Sequence, residues 1–255
     1  MKLATWNVNS VRARHDRLLA FLERHRPDVV CLQETKVTDD AFPADAIREA
    51  GYESTVLGQK TYNGVAILSR RPADDVERGF GDGDDDSEAR LLTATVEGIR
   101  FLCVYVPNGS SVGSERYAYK LEWMARLRRF LDKESSPERP LALLGDLNVA
   151  PADIDVYDPA GLRGELLCSD REREAFTELV ARGLTDSFRS LYPSETKFTW
   201  WDYRLLGFPK NRGLRIDHIL LTRPLLERLS DVVVDRDERK GKGSSDHAPV
   251  LAILD

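Results

Sequence analysis

Five short polar stretches adjoin apolar runs and carry the side chains best able to bind a metal ion or move a proton. They are residues 5–9 (TWNVN), 33–36 (QETK), 145–148 (GDLN), 215–218 (RIDH) and 244–247 (SSDH). Because ligands of α/β sheets bind beyond the carboxyl ends of strands, we expect the five stretches to meet in one site. Carboxylates, amides and an imidazole together suit divalent-metal phosphoester chemistry, since Mg²⁺ takes oxygen ligands and usually keeps several waters.

Glu34 follows a predicted strand of apolar residues and would present its carboxylate at the rim of the core. It is either a metal ligand or, in the alternative, an acid at a helix N-terminus or in a surface ion pair. Asn7 and Asn9 end the neighbouring predicted parallel strand, so their amides could face the same point. A site of asparagine and glutamate would hold Mg²⁺ loosely enough to leave water ligands for chemistry.

Asp146 and Asn148 are two residues apart and lie on the same side of the chain if it is still extended there. The carboxylate of Asp146 can take a proton from water, and the amide of Asn148 can donate a hydrogen bond to a developing oxyanion. The alternative is an Asx-turn that leaves the strand, because both residue types favour turns.

His247 is the predicted imidazole of the site, and an aspartate that orients it would fix its tautomer and raise its basicity. Asp217 precedes an apolar strand and is a candidate for that partner, whereas we expect His218 to be structural. Tyr105 ends another apolar strand. It would give a phosphate oxygen a phenolic hydrogen bond, or act as a phenolate beside a metal, or simply be a capped core tyrosine.

The elements that must position these residues are more often strands than helices. Strands are predicted at residues 2–8, 28–33, 52–57, 64–69, 90–96, 100–106, 141–145, 216–221, 231–235 and 248–254. Helices are predicted from residue 11 until Pro27 and near residues 43–50, 114–133 and 170–182. The strand–helix–strand opening implies a parallel pair, and adjacent later strands imply mixed sheets. We therefore expect an α/β fold of two mixed sheets packed face to face and flanked by helices.

Composition describes a soluble globular protein that forms one domain over residues 1–255. The 255 residues are 42% hydrophobic and 31% charged, and no apolar run approaches the ~18 residues of a membrane span. We expect no signal peptide, and the three cysteines predict reduced core thiols in a cytoplasmic protein. The acidic stretch at residues 79–87 (GFGDGDDDS) is predicted to be a hairpin loop.

Net charge is −6, which argues against a polyanion binder that works by bulk charge. A basic face remains possible, although the same residues could be solvated surface charges. The basic residues group at Arg12, Arg14 and Arg17, at Arg204, Lys210, Arg212 and Arg215, and at Arg236, Arg239, Lys240 and Lys242.

Eight strings, in order, make the chain resemble the exonuclease III family of abasic-site endonucleases, within the endonuclease/exonuclease/phosphatase superfamily. They are TWNVNSVRAR, LQETK, YNGVAI, YVPNG, GDLNVAP, FTWWDYR, NRGLRIDHIL and SDHAPV. The resemblance implies a four-layer, DNase I-like α/β sandwich that uses Mg²⁺, with Mn²⁺ as a substitute. It also implies cleavage of duplex DNA 5′ to abasic sites, with 3′–5′ exonuclease and 3′-phosphatase action on blocked ends.

The resemblance also implies roles for individual residues. Glu34, with Asn7 and Asp246 nearby, would hold metal, and Asp146, Asn148 and His247 would be further ligands. Asp146 would position or deprotonate water, Asn148 and Tyr105 would bind the phosphate, and His247 paired to Asp217 would stabilise the charge that develops. The implied DNA contacts are Asn9, Tyr62, Asn63, Arg90 and Asn108, with Trp200, Leu214 and Ile216 around the sugar that lacks its base.

Two departures and two other functions accompany this interpretation. Ser10 stands where glycine is common in the family motif, and the acidic run at residues 82–88 should weaken DNA binding unless the loop points away.

The first alternative function is a metal-dependent phosphatase of the same fold that acts on a soluble or lipid phosphate. The second is a DNA-binding module without catalysis. We expect a monomer that acts on duplex DNA and does not associate with a membrane.

Overall fold

Twelve strands build the core of the part of the chain that this computed structural model describes, residues 1–84, 87–134, 136 and 138–255. In chain order they are β1 (Lys2–Asn7), β2 (Val29–Gln33), β3 (Glu53–Leu57), β4 (Val65–Ser69), β5 (Asp74–Arg78), β6 (Leu91–Val96), β7 (Ile99–Tyr105), β8 (Leu141–Asp146), β9 (Leu184–Asp186), β10 (Asp217–Thr222), β11 (Leu229–Val234) and β12 (Val250–Leu254).

The strands form two six-stranded mixed sheets. The first has the order β11-β12-β1-β2-β4-β3 and the second the order β5-β6-β7-β8-β10-β9. Each sheet contains one parallel pair, β1 with β2 and β7 with β8, and its other pairs are antiparallel. The expected mixed sheets are therefore confirmed.

Helices flank the two sheets. They are α1 (His15–His25), α2 (Ala44–Glu49), α3 (Glu115–Glu134), α4 (Asp170–Val180), α5 (Ser187–Leu191) and α6 (Arg223–Leu226). Strand side chains alternate between faces, so Leu3 packs between the sheets while Trp6 packs outward with Phe21 of α1. Trp123 of α3 packs with the outer face of the second sheet. The result is the expected four-layer sandwich.

The prediction missed short or highly charged elements. β5 reads DDVER and is an edge strand, where charge discourages pairing with other chains. β9 has three residues and α6 has four, which is too short for a hydrophobic period to appear. Helix α1 begins at His15, later than expected, and ends at His25 because Arg26 adopts a left-handed conformation with φ 49°.

The acidic stretch connects β5 to β6, as expected for a hairpin loop. Asp82 accepts two hydrogen bonds from Arg126 of α3, at 3.0 and 2.8 Å. Glu88 accepts from Arg116, also in α3, at 3.0 Å. The described acids of this loop are thus directed toward basic side chains of α3, while Asp85 and Asp86 lie outside the described residues.

The three cysteines, Cys31, Cys103 and Cys168, are free and buried. Among the described residues, no helix has the length and apolar character needed to cross a bilayer.

Arg215 is buried, so its assignment to a basic surface is wrong. Its Nη1 lies 2.8 Å from Asp186 Oδ2, and its Nε donates to Asp155 Oδ1 at 2.7 Å. His218 lies in the same network, 3.1 Å from Arg215 and 3.0 Å from the carbonyl oxygen of Val149. The network ties β10 to the chain that leaves β8, and both carry site residues.

We expect Asp186→Asn to destabilise the fold by about 3–5 kcal/mol at pH 7, because it leaves Arg215 buried with one fewer carboxylate. Burial opposes ionisation of Asp186, but Arg215 outweighs it and holds the pKa of this carboxyl well below its usual range. The contribution of ionised Asp186 to folding stability is therefore fully present above about pH 3.9, the pKa of this carboxyl in the unfolded chain. It is lost only as the pH falls through the lower pKa of Asp186 in the folded protein. Urea unfolding at several pH values measures it.

The matched control for this prediction is Asp40→Asn, which changes an exposed aspartate. The difference between Asp186→Asn and wild type should stay constant from pH 8 to about pH 5 and narrow only below about pH 4. A difference that grows as the pH falls would contradict this account of Asp186.

Candidate active site

The site residues meet because of strand register at one edge of both sheets. Asn7 ends β1 and Glu34 directly follows β2, the parallel neighbour of β1. Tyr105 and Asp146 are register partners at the ends of the parallel strands β7 and β8. Asp217 starts β10, which runs antiparallel to β8 and pairs Asp217 with Asp146. One strand start therefore lies beside several strand ends.

Glu34, Asp146 and His247 form the centre of the site. One ligand atom from each lies within 4.8 Å of the others. The amide of Asn7 donates to Glu34 Oε1 at 2.8 Å and to Asp146 Oδ2 at 2.9 Å. Asn7 thus holds carboxylates from both sheets together.

The charges of the centre depend on each other. Burial raises the pKa of Asp146 to about 7, with further upward contributions from Asp217 and Glu34 and opposing ones from His247 and Asn7. Burial alone would lower the pKa of His247, but the carboxylates of Asp217 and Asp146 outweigh it and raise that pKa to about 10. His247 is thus a cation at neutral pH.

Asp217 is the partner that orients His247, as the sequence suggested. Its Oδ2 lies 2.9 Å from His247 Nδ1. The other ring nitrogen of His247 lies 3.8 Å from Asp146 Oδ2. The imidazolium is thus placed between a carboxylate that orients it and the proposed proton acceptor.

Lys36, for which no role was predicted, keeps Glu34 ionised. Burial raises the pKa of Glu34, but Lys36 outweighs it and the net pKa is lowered. Lys36 Nζ lies 2.8 Å from Glu34 Oε2 and donates to Asn9 Oδ1 at 2.5 Å. The position of this lysine in the LQETK string, two residues after Glu34, is the sequence feature that could have predicted the pairing.

Tyr105 is a neutral phenol in this site. Burial raises its pKa well above the usual value, and the charges of Glu34 and Asp146 add to that rise. The side chain can therefore donate a hydrogen bond to an oxyanion.

Asn148 is placed by a turn that also serves the site. Its backbone nitrogen donates to Asp146 Oδ1 at 2.9 Å, and its φ is 50°, so the chain is no longer extended there and adopts the Asx-turn given as the alternative. Its amide donates to the carbonyl oxygen of Val106 at 2.9 Å and accepts from Asn108 at 3.3 Å. The Asx-turn and the proximity to Asp146 therefore occur together.

Asp246 lies beside the three central residues. Its oxygens accept from Asn9 Nδ2 at 2.9 Å and from Trp200 Nε1 at 3.0 Å. Burial raises the pKa of this carboxyl, but His247, Asn9 and Trp200 together lower it below its ordinary value. Asp246 is an ionised oxygen donor next to the centre.

The residues expected to touch DNA differ in exposure. Tyr62 is 68% exposed and Asn108 is exposed, whereas Asn63 is buried. Trp200 is half-buried, with Leu214 and Ile216 packed against it at 4% and 1% exposure. Leu214 and Ile216 thus offer little exposed surface, and their place around the sugar stays a prediction.

Arg90 is only 4% exposed, and its contact with DNA stays a prediction. Its Nε donates to Glu88 at 2.6 Å, and its guanidinium lies 4.5 Å from the ring centroid of Tyr105. A further hydrogen bond of 3.2 Å runs to the carbonyl oxygen of Tyr105. Arg90 supports Tyr105 and has little surface left for DNA.

The donor set fits a divalent cation. Glu34 and Asp146 supply carboxylate oxygens, and His247, close to both, would add a nitrogen only as the neutral imidazole, because the imidazolium has no free lone pair. Asp246, next to His247, offers a further carboxylate oxygen. The pKa of Asp146 is raised because ionising several buried carboxylates close together costs free energy. A dication would relieve that cost, and oxygen-rich sites suit Mg²⁺ or Mn²⁺.

A family model described as Endonuclease/Exonuclease/phosphatase family matches residues 4–247. The chain is 39% identical to exodeoxyribonuclease III of Haemophilus influenzae, with 99% of each chain covered. It is 36% identical to the DNA repair nuclease APEX1 of Danio rerio, covering 100% of this chain and 82% of the relative.

Solved structures agree with these relatives. A Neisseria 3′ phosphatase, NExo, solved with a product DNA hairpin, has a TM-score of 0.98 at 44% identity, with 100% of this chain and 99% of that one covered. An AP endonuclease from Archaeoglobus fulgidus has a TM-score of 0.97 at 38% identity, with 100% and 99% covered. The chain therefore belongs to the endonuclease/exonuclease/phosphatase family and is a hydrolytic nuclease of its exonuclease III group.

Proposed function

We propose that this protein is a metal-dependent DNA repair nuclease that cleaves the backbone of duplex DNA 5′ to abasic sites. The same site would remove nucleotides in the 3′–5′ direction and release phosphate from blocked 3′ ends. Mg²⁺ would be the ion, with Mn²⁺ able to replace it. One catalytic domain, residues 1–255, would act as a cytoplasmic monomer.

The observation that carries the proposal is the convergence of Glu34, Asp146 and His247 within 4.8 Å at the edge of both sheets. Phosphodiester hydrolysis needs a proton acceptor for water, stabilisation of charge on phosphate and a means of orienting both. Residues at five strand ends or starts, together with His247 from the loop before β12, supply these functions here.

Asp146 would accept the proton of the attacking water. Its Oδ2 lies 2.9 Å from Asn7 Nδ2, 3.3 Å from the amide nitrogen Nδ2 of Asn148 and 3.8 Å from His247 Nε2, so the carboxylate faces the centre of the site where the water would bind. Asn148 would orient the water or the phosphate oxygen.

His247 and Tyr105 would stabilise the charge that develops on phosphate. His247 carries a positive charge at neutral pH because of its neighbouring carboxylates. Tyr105 keeps its proton and can donate it in a hydrogen bond. Both are buried and held by neighbours, so they need little reorganisation during the reaction.

Glu34, with Asn7, Asp146, Asn148 and Asp246 nearby, would hold the cation. His247 would join these ligands only as the neutral imidazole, because the imidazolium has no lone pair to give. A bound divalent ion would supply Lewis-acid stabilisation of negative charge on the phosphate. Glu34 is suited to this role because it is ionised and faces the centre of the site.

Asn9, Tyr62, Asn63, Asn108 and Trp200 would contact the DNA. Tyr62 and Asn108 are the exposed members and would meet the substrate first. Arg90, Leu214 and Ile216 would act from behind this surface by supporting Tyr105 and Trp200.

The test of the proposed function is a duplex oligonucleotide with a single abasic analogue, incubated with and without Mg²⁺ and resolved on a denaturing gel. Metal-dependent nicking 5′ to the analogue would support it, and a chelator should abolish the nick. Turnover of an inositol phosphate, with the DNA strand left intact under both Mg²⁺ and Mn²⁺, would instead favour the phosphatase alternative.

We expect Asp146→Asn to lower the cleavage rate constant by about 10²–10⁴-fold, because an amide cannot accept the proton of water. DNA binding, measured by fluorescence anisotropy with Ca²⁺ present, should remain within about threefold of wild type, since the change keeps the shape of the side chain. Cleavage at the wild-type rate would rule out Asp146 as the base.

Asp217→Asn should lower the cleavage rate about 10–100-fold, because His247 loses the carboxylate that orients it and raises its pKa. NMR titration of the His247 ring should show a lower pKa in the variant. The same substitution at exposed Asp40 is the control, and an unchanged His247 titration would contradict the proposed pairing.

The affinity for duplex DNA should fall steeply with salt if the basic loop at residues 204–212 faces the backbone. The double variant Lys210→Gln/Arg212→Gln should then lower the slope of log K against log salt by about 2, near 0.9 for each phosphate contact. Lys133→Gln, at the far end of the 20-residue helix α3, is the control and should leave the slope unchanged. An unchanged slope in the double variant would exclude this loop from the interface.

A further inference from the structure

Arg14 joins three segments that carry site residues. Its Nη1 donates to the carbonyl oxygen of Asn9 at 2.7 Å. Its Nη2 donates to the hydroxyl of Tyr203 at 2.8 Å and to the carbonyl oxygen of Ser244 at 3.0 Å. The three acceptors belong to the loop after β1, the aromatic segment 198–203 and the loop before β12.

Tyr203 closes this arrangement. Its hydroxyl donates to the same carbonyl oxygen of Ser244 at 2.8 Å. Arg239 lies over the tyrosine ring, 4.8 Å from its centroid, and donates to Ser244 Oγ at 3.2 Å. The tyrosine is thus fixed at its hydroxyl and on one face of its ring.

The three joined segments meet again at Asp246. Asn9, in the first segment, and Trp200, in the second, each donate a side-chain hydrogen bond to this carboxylate. Asp246 itself belongs to the third segment, directly before His247. Arg14 and Tyr203 therefore hold the backbones whose side chains set the position of Asp246.

The rest of helix α1 supports the same loop from outside. Arg17 donates to the carbonyl oxygens of Lys240 and Lys242 at 2.7 and 3.1 Å. Arg24 pairs with Glu238 in the turn just before that loop. Arg14, Arg17 and Arg24 are thus engaged with residues 238–244, which leaves these three poorly placed to form a phosphate-binding face.

We propose that Arg14 and Tyr203 form a clamp that positions Asp246 and His247 relative to the aromatic segment, so Arg14 is a positioning residue and not a DNA phosphate contact. The inference rests on the proposed nuclease function for its kinetic readout. Arginine is required because one planar fork reaches three acceptors, which the single ammonium of a lysine cannot reproduce.

The experiment compares Arg14→Lys, Tyr203→Phe and their double variant with Arg12→Lys, a change at an exposed arginine two residues away. Hydrogen exchange followed by mass spectrometry reports the loop directly, without any substrate. Amides of residues 244–248 should exchange about tenfold faster in Arg14→Lys and Tyr203→Phe than in wild type or Arg12→Lys. Equal exchange in all five proteins would overturn the clamp.

Kinetics on the abasic duplex provide the second readout. Arg14→Lys should lower kcat about 10–100-fold with KM within about twofold, since a supporting residue acts through the groups that it orients. The double variant should be no worse than the poorer single variant, because both changes break one unit. Tyr203→Phe removes a single oxygen and keeps the test valid if Arg14→Lys proves unstable.

A phosphate contact gives the opposite pattern. Arg14→Gln would then raise KM, leave kcat unchanged and lower the salt slope of DNA binding by about 1. We expect instead the wild-type slope in Arg14→Gln. If wild type itself does not cleave abasic DNA, the proposed function fails, and hydrogen exchange alone still decides whether the clamp exists.

Discussion

The structure depends on how buried negative charge is compensated where the two sheets end. Glu34, Asp146 and Asp217 come from three strand termini and would repel one another in a dry environment. His247 and Lys36 supply positive charge, and the amide of Asn7 bonds carboxylates of both sheets. The free-energy cost of burying these carboxylates is only partly offset, and it appears as the raised pKa of Asp146. The same cost makes Asp146 more basic and the site receptive to a cation.

The fold provides this arrangement through register. Tyr105 and Asp146 lie side by side because β7 and β8 are parallel, and Asp217 faces Asp146 because β10 runs the other way. A shift of one residue in either pairing would turn these side chains to the other face of the sheet. Buried leucines and valines on both faces fix the register, so the stability of the core and the geometry of the site have one origin.

Support from behind the site is a second theme. Arg90 stacks on Tyr105, Arg215 ties β10 to the end of β8, and Arg14 joins three loops. The sequence suggested a DNA contact for Arg90 and basic surface groups for the other two, but the guanidinium of each donates hydrogen bonds to groups of the protein itself. Arginine suits this work because its planar fork can bond several acceptors at once.

The sequence by itself determined the sandwich, the metal-type donor set and the family resemblance, because strand periodicity and short polar strings are local features. The pairing of Asp217 with His247 was also accessible, since each adjoins a recognisable apolar strand. Only the tertiary structure decided that Ile216 lies almost wholly beneath Trp200 and that Arg215 is buried. Those outcomes depend on contacts between residues far apart in the chain, and neither charge nor hydrophobicity at one position reports them.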